Sequence, residues 1–201
     1  MKKILLLFPL ILSIAVSAQT TKGSLMIGGS GTMSFNKNDW SGTGNAKQTS
    51  LNLSPDIGYF FVNRVSGGLY LPMEVSWSKT KVTSLPEEYH GNGFSIGVVP
   101  FIRYYIPVKS FFLVTEASYG WYYAKNTFEN ADPITGVVIG EEKITTKYKG
   151  FSFAAGPAIF LNPYTSIEIL ANYQRTNFES MDQSTFYISI GFQIYIPSRR
   201  E

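Results

Sequence analysis

The chain has 201 residues, enough for one domain with a sizeable core. Its formal charge of +3 lacks the basic excess that a nucleic-acid partner requires, and the absence of cysteine excludes a disulfide framework and an anchor on a lipidated N-terminal cysteine. Aromatic residues reach 15%, with 13 Tyr, 15 Phe and 3 Trp, a usage that favours strands.

Lys2 and Lys3 precede an apolar stretch from Ile4 to Val16, and Val16-Ser17-Ala18 supplies the small residues that a signal peptidase reads. The stretch is short for a membrane-spanning helix, and polar Gln19-Thr20-Thr21-Lys22 follows it. Residues 1–18 are therefore expected to be a secretory signal peptide and 19–201 a single folded domain. Loss of Lys2 and Lys3 takes the charge from +3 to about +1.

Period-two alternation then recurs over eight segments, near 24–35, 47–61, 65–79, 93–107, 111–125, 145–161, 165–176 and 184–196. In the second, Leu51, Leu53, Ile57, Tyr59 and Phe61 alternate with Asn52, Ser54, Asp56 and Gly58. The fourth sets Phe94, Ile96, Val98, Ile102, Tyr104 and Ile106 against Ser95, Gly97, Phe101, Arg103 and Tyr105. Short connections around Val62-Asn63-Arg64, Val108-Lys109-Ser110 and Asn162-Pro163-Tyr164 take turns with long polar ones near 36–46, 80–92 and 126–144, and a shorter one near 177–183. Eight antiparallel strands with tight turns at one end and long loops at the other predict an all-β fold, an eight-stranded antiparallel up-and-down transmembrane β-barrel. Pro55, Pro72, Pro100 and Pro157 fall inside predicted strands, and a closed barrel has no free edge to absorb their missing donors, so bulges or distorted ladders are expected there.

A membrane barrel turns its apolar face to lipid and its mixed face to the lumen. This reading explains Arg103, a permanent charge in the most apolar run of the chain, by placing it inside. Asp56, Glu116 and Glu168 lie at similar heights on their strands and Glu74 a little higher, so the five are expected to form an interior charge cluster that fills and specifies the lumen. Water and hydroxyls, or a protonated acid, must balance the excess of carboxylates. At the other surface, Lys47, Lys79, Lys125, Lys147, Lys149 and Arg175 fall on the lipid-facing side at the loop ends of their strands. Long cationic stems there snorkel past aromatic residues, and they are candidates for meeting lipopolysaccharide phosphates.

The chain resembles the small eight-stranded outer-membrane β-barrels of Gram-negative bacteria, the OmpX/OmpA-type, porin-like family, over essentially its whole length after residue 18. The most specific element is Ser189-Ile190-Gly191-Phe192-Gln193-Ile194-Tyr195-Ile196, similar to the family's C-terminal insertion signal through Gly191, Ile194 and Ile196. It departs from the pattern in continuing to Pro197-Ser198-Arg199-Arg200-Glu201. The resemblance implies a monomeric, non-enzymatic envelope protein that is handled by the outer-membrane insertion machinery, lies among outer-membrane lipids and turns its loops outward. Phe60, Tyr70, Phe101, Tyr105, Phe112, Tyr122 and Phe160 on the inner face argue for a plug over the alternative of a narrow conduit for small solutes. A lipid A-modifying barrel enzyme is the remaining alternative. It would need His90, the single histidine, beside Ser84 or Ser95, and neither serine stands in a recognisable motif. No cofactor or metal is expected, and Gly28-Gly29-Ser30-Gly31 lacks the lysine and helix of a phosphate loop.

Overall fold

Alternating apolar and polar residues can satisfy both a lipid-facing and a lumen-facing surface only if the sheet closes, because an open edge would leave backbone groups unpaired in hydrocarbon. The computed structural model, which describes residues 20–40, 44–83, 88–131, 137–178 and 181–198, shows that closure. The strands are β1 (Leu25–Trp40), β2 (Gly44–Val62), β3 (Val65–Tyr70), β4 (Met73–Val82), β5 (Glu88–Val108), β6 (Phe111–Ala131), β7 (Val138–Asn162), β8 (Thr165–Phe178) and β9 (Met181–Ile196). All pairings are antiparallel between neighbours, and β1 meets β9 over Leu25–Gly31 to complete the ring at its tight-turn end. β3 and β4 share one place in it, in line along both β2 and β5, so nine strands make a barrel of eight positions. The predicted signal peptide lies outside the described residues, as do Ser84, Arg199, Arg200 and Glu201.

The outer hairpins are longer than the alternation predicts. β5 starts at Glu88, β6 runs to Ala131 and β7 begins at Val138, so much of the segments expected to be loops near 80–92 and 126–144 is ladder. Beyond the membrane a strand needs no apolar face, only a partner for its backbone, and hydrophobic periodicity therefore misses it. The opposite end is tight: turns at 63–64, 109–110 and 163–164 join the strands, and Arg64 takes a positive φ of 67°. The residues before β1 are tied to the first of these turns, through Arg64 N–H to the Thr20 carbonyl at 2.6 Å and Gly23 N–H to that of Phe60 at 2.8 Å.

Inside and outside follow the sequence parity. Ile57, Leu69, Ile102, Phe153 and Ile190 are exposed on the outer wall, whereas Met26, Phe60, Tyr105, Val114 and Tyr195 are buried in the lumen. The ladder is interrupted beside each proline, at Pro55 and Pro72, at Pro100 opposite Tyr119 and at Pro157 opposite Ile169, yet pairing resumes beyond each break in the same register. Bulges occur elsewhere, at Phe60/Val62, Asn130/Ala131 and Phe160/Asn162.

Candidate functional site

The lower lumen is filled from two layers. Nearest the tight turns, Phe60, Tyr105, Phe112, Phe160 and Tyr195 form an aromatic floor, with ring centroids from 5.0 Å for Phe160 and Tyr195 to 6.4 Å for Tyr105 and Tyr195. They come from five different strands, and each occupies an inward position of its run. Phe160 and Tyr195 are stacked and the other pairs are tilted or edge-on, arrangements that suit the ring quadrupoles at these separations.

Arg103 lies over this floor with 2% of its surface accessible. Its Nε donates to Glu116, its Nη1 to Glu168 Oε2 at 3.1 Å, and its Nη2 to the Tyr70 hydroxyl, which in turn donates to Glu116 Oε2 at 2.5 Å. Glu116 is directly opposite Arg103 in the β5–β6 ladder. Glu168 reaches it across the lumen and also accepts from Tyr105 and Tyr195, both at 3.3 Å. The guanidinium carbon is 5.0 Å from the Phe101 ring centre and 5.4 Å from that of Tyr70, so charge, donors and flat face all have partners. A buried guanidinium is tolerable only with that degree of compensation. Glycines make the room: a Cβ on Gly68 would lie 2.6 Å from Phe101 Cζ, and one on Gly58 3.3 Å from the same atom.

The predicted five-residue cluster is therefore a cluster of three with two neighbours. Asp56 does not pair with Arg103; its Oδ2 accepts from Gln193 Nε2 at 2.8 Å. Glu74 stands apart, across from Asn52 on β2 and Ser95 on β5, beyond the break at Pro72, and it is hydrogen-bonded to Asn52. Hydroxyls and amides thus supply what one arginine cannot. Parity shows that Tyr70, Tyr105, Gln193 and Tyr195 face inward, but it does not show that their polar ends complete the ion-pair layer.

Above Arg103 the lumen widens into a cup of about 760 Å³, open toward the long hairpins. Its wall is made mostly of hydroxyl and amide side chains, including Ser50, Asn52, Ser118, Asn172 and Gln174, with Tyr122 and Tyr148 stacked at 4.8 Å. Gly97 and Gly120 leave space for the Tyr122 ring, which a Cβ at either position would touch. The upper lumen is thus not filled as the lower one is, because serine and glycine replace phenylalanine on the inward positions.

At the outer rim Lys47, Lys79, Lys125, Lys147, Lys149 and Arg175 are all exposed on the lipid-facing side. Lys37, Lys47 and Lys79 are direct neighbours across β1, β2 and β4, and Arg175 is paired with Asp182 at 2.7 Å. Trp77, Trp121, Tyr123 and Tyr173 form an aromatic belt beside these cations. His90 is in β5, exposed and opposite Lys79, while Ser95 faces the cup on the other side of the wall, so these two are not brought together; Ser84 lies outside the described residues. At the C-terminus Ile194 and Ile196 face outward opposite Ile27 and Leu25, and Gly191 faces Glu168 across the β8–β9 ladder.

Comparison with solved structures finds barrels that span nearly their whole length on this chain. OprG of Pseudomonas aeruginosa aligns with a TM-score of 0.49 and 11% identity over 91% of this chain and 100% of that one. The attachment invasion locus protein Ail of Yersinia pestis gives 0.45 and 14%, over 87% and 100%. Neisserial surface protein A gives 0.42 and 13%, over 86% and 99%. A comparison with curated proteins gave no match. The family model described as "Outer membrane protein beta-barrel domain" matches residues 4–193. With that match over most of its length, a closed ring of eight positions and an apolar outer wall, the chain belongs to the outer membrane protein beta-barrel family.

Proposed function

We propose that this outer-membrane barrel is a non-enzymatic envelope protein, closed to solutes along its axis, whose extended hairpins serve a structural or surface-interaction role. The observation that carries this reading is the double layer in the lower lumen, where Arg103, Glu116, Glu168 and Tyr70 lie over five packed rings. Ions entering the cup would have to displace a buried guanidinium from its partners to go further, which costs several kcal/mol, on the order of 3–5 for a buried pair. The cup itself is the observation that favours a conduit. Conductance in planar bilayers separates the two readings: wild-type barrel should show no stable openings, and steady openings of porin size would overturn the closed reading.

Three accessory proposals accompany it. Residues 1–18 direct export and are cleaved after Ala18, which N-terminal sequencing of the membrane-inserted protein tests directly. Gly191, Ile194 and Ile196 present the insertion signal, so Ile194→Asp with Ile196→Asp should leave the chain unassembled. The rim cations meet lipopolysaccharide, with the barrel itself monomeric. Support comes from Lys47 and Lys79, like charges directly opposite on adjacent strands that repel unless an anion bridges them; their neighbour Lys37 is paired with Asp39 at 2.7 Å. Binding of lipopolysaccharide with and without its lipid A phosphates, to wild type and to a Lys147→Gln, Lys149→Gln, Arg175→Gln variant, tests the third. Equal binding in all four combinations would defeat it.

A further inference from the structure

The seam that closes the barrel is only half zipped. β1 pairs with β2 from Leu25 to Trp40, but with β9 only from Leu25 to Gly31, opposite Ile196 to Ile190. Above that level, among the described residues, Thr32–Asp39 ladder with β2 alone and Asp182–Ser189 with β8 alone. No proline or bulge accounts for the parting. Side-chain exposure reports the same gap: in the row Met33, Leu51, Val75, which crosses β1, β2 and β4, exposure is 60% at the seam against 39% and 37%. Phe35 and Phe186, beside the opening, are more exposed still, at 72% and 71%.

The opening is at membrane level. Phe186 is directly across the ladder from Tyr173 of the aromatic belt, and Ile188 is one inward-outward repeat closer to the turns. Unpaired strand edges do not persist against hydrocarbon; they are tolerated where they line a water-filled cavity. That cavity is the cup. Its wall includes Thr32, Ser34 and Asn36 from one free edge and Thr185, Tyr187 and Ser189 from the other, and it extends to Met33 and Ile188, whose side chains face outward. Polar lumen and apolar outer wall therefore meet at one gap.

We propose that this gap is a lateral port, through which a single-chain amphiphile with an uncharged, hydroxyl-bearing head passes between the outer leaflet and the cup. Its head would rest among the serine, asparagine and tyrosine side chains of the cup, and its alkyl chain would leave the barrel between Met33 and Ile188. The head class follows from the lining. Among the described residues of the wall Arg103 is the one cation and its donors are committed to Glu116, Glu168 and Tyr70, while Glu74 adds a carboxylate, so an anionic head finds no counter-charge there. Hydroxyl and amide groups in number, beside a tyrosine pair, suit a neutral polyol. The port is independent of the axial path, so a barrel closed to ions along its axis is compatible with it.

Methyl NMR of the full barrel in lipid nanodiscs tests the port, with Met33 and Ile188 as reporters and the distant outward Ile57 and Ile102 as controls for general partitioning. Added decyl glucoside should shift Met33 and Ile188 saturably and leave the controls on the linear trend of partitioning. Decanoate and decyltrimethylammonium should need at least tenfold higher concentration for the same shift. The chain has no cysteine, so Ser34→Cys with Tyr187→Cys places a single disulfide across the gap, at positions that continue the β1–β9 register. Oxidation should weaken decyl glucoside at least tenfold and reduction should restore it; Ser34→Trp, which obstructs the gap without a bond, should have the same effect. The proposal is overturned if Met33 and Ile188 follow the controls in wild type, if a charged head binds as well, or if the oxidised and Ser34→Trp proteins bind like wild type.

Discussion

Replacing Arg103 by Met keeps most of the side-chain volume and removes the charge from the most enclosed layer of the barrel. Its guanidinium is 2% accessible, and its partners Glu116 and Glu168 are 6% and 1% accessible, so neither carboxylate is rescued by bulk water. Breaking a buried ion pair by deleting one partner typically costs about 3–5 kcal/mol, because the remaining charge is stranded. The flat contacts with Phe101 and Tyr70 add a further cation–π loss of about 0.5–2 kcal/mol that is not simply additive. Arg103→Met should therefore lower the unfolding free energy by about 3–5 kcal/mol in reversible urea unfolding from phospholipid bilayers, followed by tryptophan fluorescence. The decisive comparison is Arg103→Met combined with Glu116→Gln and Glu168→Gln. With no charge left to strand, the triple variant should recover most of the loss, as buried ion pairs replaced whole often prove neutral. A single variant within about 0.5 kcal/mol of wild type, the range of ordinary surface substitutions, would refute the buried-layer argument. So would a triple variant no more stable than the single one.

Gly68→Ala drives a methyl group into the Ile57 carbonyl oxygen, with Phe101 Cζ at 2.6 Å and the Gly58 backbone at 2.7 Å, so urea unfolding should show a loss of at least about 1–3 kcal/mol, the usual cost of overpacking. Lys79→Glu turns the Lys47–Lys79 row into an opposite-charge pair and, in zwitterionic lipid, should stabilise the barrel by about 0.2–1 kcal/mol, a gain that high salt removes.

How much of this was legible in the sequence depends on which surface a residue serves. Along the membrane band, period two decides inside from outside at every step, and Arg103, Glu116 and Glu168 fall together because strand parity and distance from the tight turns fix their place. Glu74 is separated from them because height along a strand is an imprecise measure once the strand breaks at Pro72. Tyr70 and Tyr105 read as bulk, since alternation reports direction and not what a hydroxyl meets at the end of the side chain. Beyond the band the alternation fades while the ladder continues, and β5, β6 and β7 extend past their apolar segments for that reason. The half-open seam left no mark in the pattern at all: Thr32–Phe35 and Phe186–Ser189 alternate as any paired strand does.

The in-strand prolines show how the closed sheet tolerates missing donors. Leu71 N–H donates to the Pro55 carbonyl and Gly97 N–H to that of Pro72, both at 2.9 Å, which fixes the side to which each of these prolines turns its nitrogen. Pro55 faces Leu71 and Pro72 faces Gly97; by the alternation of strand hydrogen bonds, Pro100 then faces Tyr119 on β6. Each break is thus one absent donor wide and needs no change of register, which a slip would extend to every side chain beyond it. Pro100→Val should restore a donor toward the Tyr119 carbonyl. The new bond is worth about 0.5–1.5 kcal/mol, and the freer unfolded chain offsets it by about 0.4–1 kcal/mol, so little net stability is expected. Hydrogen exchange isolates the bond from that compensation. The new amide at position 100 should exchange as slowly as those of neighbouring paired residues such as Ile102, whereas an amide exchanging at the rate of an exposed turn would mean that the β5–β6 break is set by the wall's curvature and not by the missing donor.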